Sequence, residues 1–422
     1  MAPSKIQELI ASHPVDLASY VELYKHFHLH PELSNQEKET AETCAAHLAR
    51  LADFEIHTHI GGYGLAAVLR NGPGHTILIR GEMDALPVLE QTGLPYSSTI
   101  TALDAAGTKQ PVMHACGHDM HMTCLLAATE VLVGLKDSWS GTLIILFQPA
   151  EERGTGAQAM VDDGLYRKIP VPDYVLGQHL MPLRAGSVGS KTGTIMAAAD
   201  SFIVKLFGSG GHGSMPHRTI DPLMMAANVV VRLQNIISRE IDPNDFGVLT
   251  VGKLHAGSAE NIIADTAEIG IDIRSAQKAT REKIIAGVRR IVQAEFIASG
   301  ATKEPLITQT RTFPETFNDG QMASQVAVEF AQHFGDRFNV DIPRSNVAED
   351  VSILATSQGK PCLFWFFGGV DEKLWDQKTL EGRLMEDVPA NHSAYFAPVI
   401  APTMQTGIDT LCIAALTFLT QK

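Results

Sequence analysis

The densest chemistry in the chain lies in Met113-His114-Ala115-Cys116-Gly117-His118-Asp119-Met120-His121. Cys116 and His118 sit two apart, just ahead of a helical pattern. In an extended segment, side chains two apart face the same way, so a thiolate and an imidazole can reach one metal centre. The alternative is a helix N-terminus capped by incidental polar groups, which leaves so many histidines beside a cysteine unexplained. His114 and His121 each read as a surface histidine or a support behind the ligands. Glu151-Glu152 follows an apolar run and Pro149. Acids at a helix start favour the helix dipole, which accounts for one glutamate more readily than two. Otherwise one carboxylate ligates a metal and its neighbour takes a proton from an activated water. His179, at the end of an apolar run, and His392, in Pro389-Ala390-Asn391-His392-Ser393, are weak signals singly. Together, a carboxylate, a thiolate and three imidazoles could hold one or two metals, with a shared ligand if there are two.

A second glycine-rich segment, Gly208-Ser209-Gly210-Gly211-His212-Gly213-Ser214-Met215-Pro216-His217, lacks the spacing of a phosphate or dinucleotide cradle. It reads equally as a loose loop. Asn261 and Arg274 flank an expected strand. Such an Arg is a surface charge or a bidentate clamp for a carboxylate. Gly-x-Ser-x-Gly is absent, so a serine hydrolase lacks its anchor. Cys116 as a nucleophile is the competing enzymatic reading, and it leaves Glu151, Glu152 and His392 without roles.

These residues need elements that bring them together. Leu65–Leu69, Thr76–Ile79, Thr142–Phe147 and Tyr174–Gly177 read as buried strands. Between them lie amphipathic or apolar helical patterns, notably Lys38–Leu51 and Met120–Leu135. Buried strands interleaved with helices predict an α/β layer with a mostly parallel sheet. Arg80-Gly81-Glu82-Met83-Asp84, Gln148 to Glu152, and Gln178-His179 all follow such strands. Ligands of open α/β sheets bind at the carboxyl ends of strands, so these clusters should converge on one crevice.

From Ser201 the pattern changes to strand, helix, strand, strand, helix, strand, a βαββαβ unit. The expected organisation is a catalytic domain in two parts, 1–191 and 312–422, with an α+β domain at 192–311 inserted between them. Hinges are expected near 190–200 and 305–315, where the pattern shifts.

The chain has 422 residues, 45% hydrophobic and 19% charged, enough apolar content for a sizeable core. Lys and Arg number 33 against 47 Asp and Glu, a net charge of −14 with no basic block. That excludes the electrostatic footprint of a nucleic-acid or anionic-membrane binder. No apolar run is long enough for a membrane span and no secretory signal is visible at the N-terminus. The five scattered cysteines do not form a disulfide framework, so a reducing, cytoplasmic setting is expected.

The motifs together resemble the M20 metallopeptidase family, in its amidohydrolase branch of hippurate hydrolases, N-acyl-amino-acid amidohydrolases, carboxypeptidases and indole-acetyl-amino-acid hydrolases. The stretches that carry the resemblance are His28 to Ser34, Arg80 to Pro87, Met113 to Asp119, Phe147 to Glu152, Gly211-His212, Pro216-His217 and Asn391 to Phe396. The resemblance implies a zinc-peptidase-like catalytic domain with an inserted lid or dimerisation domain, and two divalent ions of zinc, manganese or cobalt per subunit. It implies that Cys116, His118, Glu152, His179 and His392 are the metal ligands, with Cys116 bridging. Glu151 would be the general base, Asp84 a supporting acid and His212 the oxyanion stabiliser, in some relatives from the neighbouring subunit. Asn261 and Arg274 match positions that contact the substrate carboxylate or oxyanion. The implied activity is hydrolysis of N-acyl amino acids or dipeptide-like amides by a homodimer. A carboxypeptidase or dipeptidase of the same family, or an inert metal-binding relative, are the other readings. Two motifs depart from the usual pattern: Arg-Gly-Glu-Met-Asp at 80–84 replaces Arg-Ala-Asp-Met-Asp, and Glu349-Asp350-Val351 replaces Glu-Asp-Phe.

Overall fold

A computed structural model describes residues 3–421, which cluster into two compact units. The first comprises residues 3–195, 317–343 and 350–421; the second comprises Met196–Thr316 and Arg344–Glu349.

The first unit is built on a mixed, mainly parallel eight-stranded sheet. Its centre is four parallel strands in the order Gly141–Gln148, Thr76–Glu82, Tyr174–Arg184 and Cys362–Val370. Three of these strands are buried along nearly their whole length and Tyr174–Arg184 over Val175–Leu180, as parallel strands covered on both faces must be. Gly64–Asn71 is also buried but runs antiparallel to Gly141–Gln148, a direction that hydrophobicity alone does not encode.

Two helices carry the load on one side of this sheet. His118–Gly134 and Thr403–Leu419 pack against each other, and both are buried almost all round. A helix that is apolar on every face belongs inside the core. The first of them therefore offers a rigid base for the cysteine and histidine segment at its N-terminus.

The expected strand ends shift in a way that matters. Gln178 and His179 lie inside Tyr174–Arg184, not at its end. On one side the pairing with Thr76–Glu82 stops at Arg80↔Gly177. On the other it continues with Cys362–Val370 through Phe366↔His179 and beyond. His179 is thus held by one neighbour just past the point where the other has left the ladder. Glu82 likewise closes its strand instead of following it.

The second unit is a four-stranded antiparallel sheet in the order Gly247–Ala256, Thr266–Ser275, Ala198–Phe207, Leu306–Phe313. Burial alternates with period two along Ala198–Phe207 and Thr266–Ser275. Helices Pro222–Asn235 and Lys278–Ala298 share a core with the inward residues. Among the described residues no helix is long and apolar enough to cross a membrane.

Candidate metal centre

Gly117 opens the site. It has φ +87°, and a Cβ there would lie 2.8 Å from Leu180 Cδ2. Only glycine meets both demands cheaply. This turn sets Cys116 and His118 on either side of the start of helix His118–Gly134. At the end of Gly141–Gln148, Ala150 adopts φ +48° and swings Glu151 and Glu152 back into the site. His392 is also left-handed, at φ +69°, and its N–H donates to the Ala115 carbonyl at 2.8 Å.

The donor atoms converge within the first unit. One atom each from Cys116, His118 and Glu152 lie within 4.8 Å of one another. Cys116 Sγ is 3.4 Å from His179 Nε2, and His392 Nε2 is 3.4 Å from Glu152 Oε1. Glu151 Oε2 stands 3.9 Å from His118 Nε2. Cys116, His118, Glu151 and His179 are buried, whereas the His392 side chain is 53% exposed, at the mouth.

The ring orientations are set by backbone partners. His118 Nδ1 donates to the Asp84 carbonyl at 2.7 Å, and His179 Nδ1 donates to the Leu180 carbonyl at 2.8 Å. Both rings therefore turn Nε2 towards the cluster. Asp84 is fully buried, and its carboxylate accepts from the Glu151 and Glu152 amides and from Ser34 Oγ. Asn391 Nδ2 donates to the Cys116 and Leu180 carbonyls at 3.2 and 3.1 Å, tying the His392 loop to two other segments of the site.

The donor set fits a divalent cation. His118 Nε2 and Glu152 Oε1 are buried without a hydrogen-bond partner among the described residues, a costly state unless a cation is their partner. The field agrees. Burial and the charges of Glu152 and Glu151 hold the Cys116 thiol well above its ordinary range. Burial would lower His118, but Asp84 and the surrounding carboxylates push it up to about 10, so a bound cation must displace a proton from that ring. Burial and the neighbouring His121 keep His179 neutral, as a ligand must be. Cys116 in this field is the reverse of an activated nucleophile, which needs a lowered thiol pKa.

Glu82 and His121 lie close to His118 and His179, but both nitrogens of His121 are engaged. Leu180 N–H donates to Nε2 at 2.7 Å, so Nδ1 carries the proton that faces Glu82 Oε2 at 3.0 Å. Glu82 is in turn paired with Arg80. His121 therefore holds the Leu180 N–H, and the carbonyl of the same residue orients His179. Behind Asp119, the fully buried His28 bridges two acids, Asp119 at 2.6 Å and Glu90 at 3.1 Å. A supporting place for His121 is one of its two sequence readings, whereas the bridging role of His28 and the tie made by Asn391 escaped sequence reading. Each acts through contacts between segments far apart in the chain.

His212, Asn261 and Arg274 belong to the second unit. His212 is exposed, and its Nδ1 accepts from the Ser214 N–H at 3.1 Å, which places the proton of the neutral ring on Nε2. Asn261 is exposed, and its backbone carbonyl accepts from Gly213 N–H at 2.8 Å. Arg274 lies within the strand Thr266–Ser275 and pairs with Asp272 at 3.0 Å.

Residues 78–384 match peptidase family M20/M25/M40. The chain is 38% identical to a hippurate hydrolase of Campylobacter jejuni, over 76% of this chain and 81% of that one. It is 36% identical to an N-acyl-L-amino acid amidohydrolase of Geobacillus stearothermophilus, over 72% and 79% of the two chains. The crystal structure of the Bacillus subtilis YXEP protein, described as a dinuclear metal-binding peptidase from the M20 family, superposes with a TM-score of 0.73 at 26% identity. That match covers 95% of this chain and 98% of the other.

Proposed function

From the premise that the chain belongs to peptidase family M20/M25/M40 and is a hydrolase of amide bonds, we propose that its substrates are N-acyl amino acids or dipeptide-like amides. The observation that carries this reading is the convergence of Cys116, His118, Glu152, His179 and His392 beside a second carboxylate, Glu151, that ligation does not require. We infer that those five side chains would hold two divalent cations, zinc, manganese or cobalt. Such cations polarise a scissile carbonyl and lower the pKa of water from 15.7 towards about 7.

The protein's own residues do the rest. Glu151 accepts a proton from the attacking water at its carboxylate and returns it to the leaving amine nitrogen. Asp84 holds the Glu151 and Glu152 amides and, through its carbonyl, the His118 ring. His212 donates Nε2–H to the oxyanion of the tetrahedral intermediate, a role supported by the Ser214 contact that reserves its Nδ1 as acceptor. Asn261 and Arg274 take the substrate carboxylate or oxyanion; for Arg274 this requires an anion to compete with Asp272. The inserted stretch expected at 192–311, most of which lies in the second unit, serves as the lid and dimerisation domain between catalytic parts at 1–191 and 312–422, and the enzyme acts as a cytoplasmic homodimer.

A panel of N-benzoyl, N-acetyl and other N-acyl amino acids beside dipeptides and longer peptides tests the substrate class. Release of free amino acid from the N-acyl compounds is expected. Turnover confined to peptides would make the enzyme a carboxypeptidase or dipeptidase instead, and a metal-loaded protein inert towards the whole panel would make it a binding protein.

A further inference from the structure

Glu37 is fully buried at the start of helix Lys38–Leu51. One of its oxygens, Oε1, accepts two backbone N–H groups, from Asn35 at 2.8 Å and from Ala150 at 2.9 Å. Both donors are non-glycine residues with left-handed backbones, φ +67° and +48°. Such residues are held only when their surroundings over-determine them. The next two amides, Glu151 and Glu152, donate to Asp84. Three consecutive N–H groups are thus anchored on two buried carboxylates, and Ser34 Oγ joins Asp84 to the segment that carries Glu37.

We propose that Glu37 is a positioning residue that clamps the Ala150 turn and so aims Glu151 and Glu152. The roles of those two glutamates rest on the function proposed above; the clamp itself is a statement about the turn alone. Its Oε2 has no hydrogen-bond partner among the described residues, so the clamp works through Oε1 and does not need the charge. Glu37→Gln keeps an acceptor in place of Oε1, whereas Glu37→Leu keeps the bulk and removes it.

The test is hydrogen–deuterium exchange, in metal-free protein, of the peptide spanning residues 148–154, alongside the visible spectrum of the cobalt-loaded protein. In Glu37→Leu that peptide should exchange about tenfold or more faster, and the cobalt bands should shift as Glu152 moves. In Glu37→Gln both readouts should match wild type, and kcat should stay within about threefold. Unchanged exchange in Glu37→Leu overturns the clamp. If that variant does not fold, Glu37→Gln decides alone, because faster exchange there would show that the charge is required. A wild-type protein that takes up no cobalt would contradict the proposed function while leaving the exchange prediction to stand or fall separately.

Discussion

Glu151 and Glu152 are neighbours with different surroundings. Glu152 has a buried oxygen with no hydrogen-bond partner among the described residues and lies in the donor cluster, while Glu151 stands at its edge, 3.9 Å from His118. Glu151→Gln should therefore keep both cations and lose roughly 10²- to 10⁴-fold in kcat, the usual worth of a positioned base. Wild-type kcat in that variant would remove Glu151 from proton transfer. His28 gives a separate test of pH dependence. Burial opposes its charge, but hydrogen bonds to Asp119 and Glu90 outweigh burial and raise it from 6.5 to about 10. A raised folded-state pKa contributes stability that is complete below about pH 6.5 and lost as pH climbs through about 10. Urea midpoints of wild type should fall across that window, and His28→Asn should flatten the fall. Equal slopes would mean that His28 is not charged in the folded protein.

At the scale of elements, the site depends on what happens where strands stop and one helix starts. Gly117→Ala forces a Cβ into a left-handed turn and against Leu180, which should cost about 1–3 kcal/mol in thermal or urea unfolding and weaken metal binding as well. A variant as stable as wild type would show that the loop relaxes freely. His121→Phe removes the hydrogen bond that holds the Leu180 N–H and the one that ties the ring to Glu82, and chelator competition should reveal metal affinity weakened by about 10- to 100-fold. A fall from two bound ions to one at saturating metal would instead make His121 a ligand. Much of this was legible beforehand because it is local. Burial and period mark the strands around Thr76–Glu82 and Gly141–Gln148, and the spacing of Cys116 and His118 marks the loop. The direction of Gly64–Asn71 and the extension of Tyr174–Arg184 past His179 were not legible, because strand pairing is set by partners elsewhere in the chain. The same holds for Glu37, whose contact with Ala150 spans 113 residues, and for Asn391, 275 residues from Cys116.

At the scale of the whole molecule, the residues assigned to catalysis are divided between two units: Glu151 and the donor cluster in the first, His212 in the second. If His212 acts on the neighbouring subunit of a homodimer, mixing His212→Ala with Glu151→Gln protein should create some hybrid sites with both residues intact and recover part of the activity. No recovery, despite demonstrated subunit exchange, would place His212 in the service of its own chain. Beneath all these expectations lies the pairing of a Cys, His and carboxylate cluster with divalent metal. The most direct measurement is hydrolysis of an N-acyl amino acid by protein stripped with a chelator, checked for residual metal, and then titrated with zinc, manganese or cobalt. Activity should vanish in the stripped protein and return as two equivalents are added. Full turnover by a verified metal-free protein would contradict it.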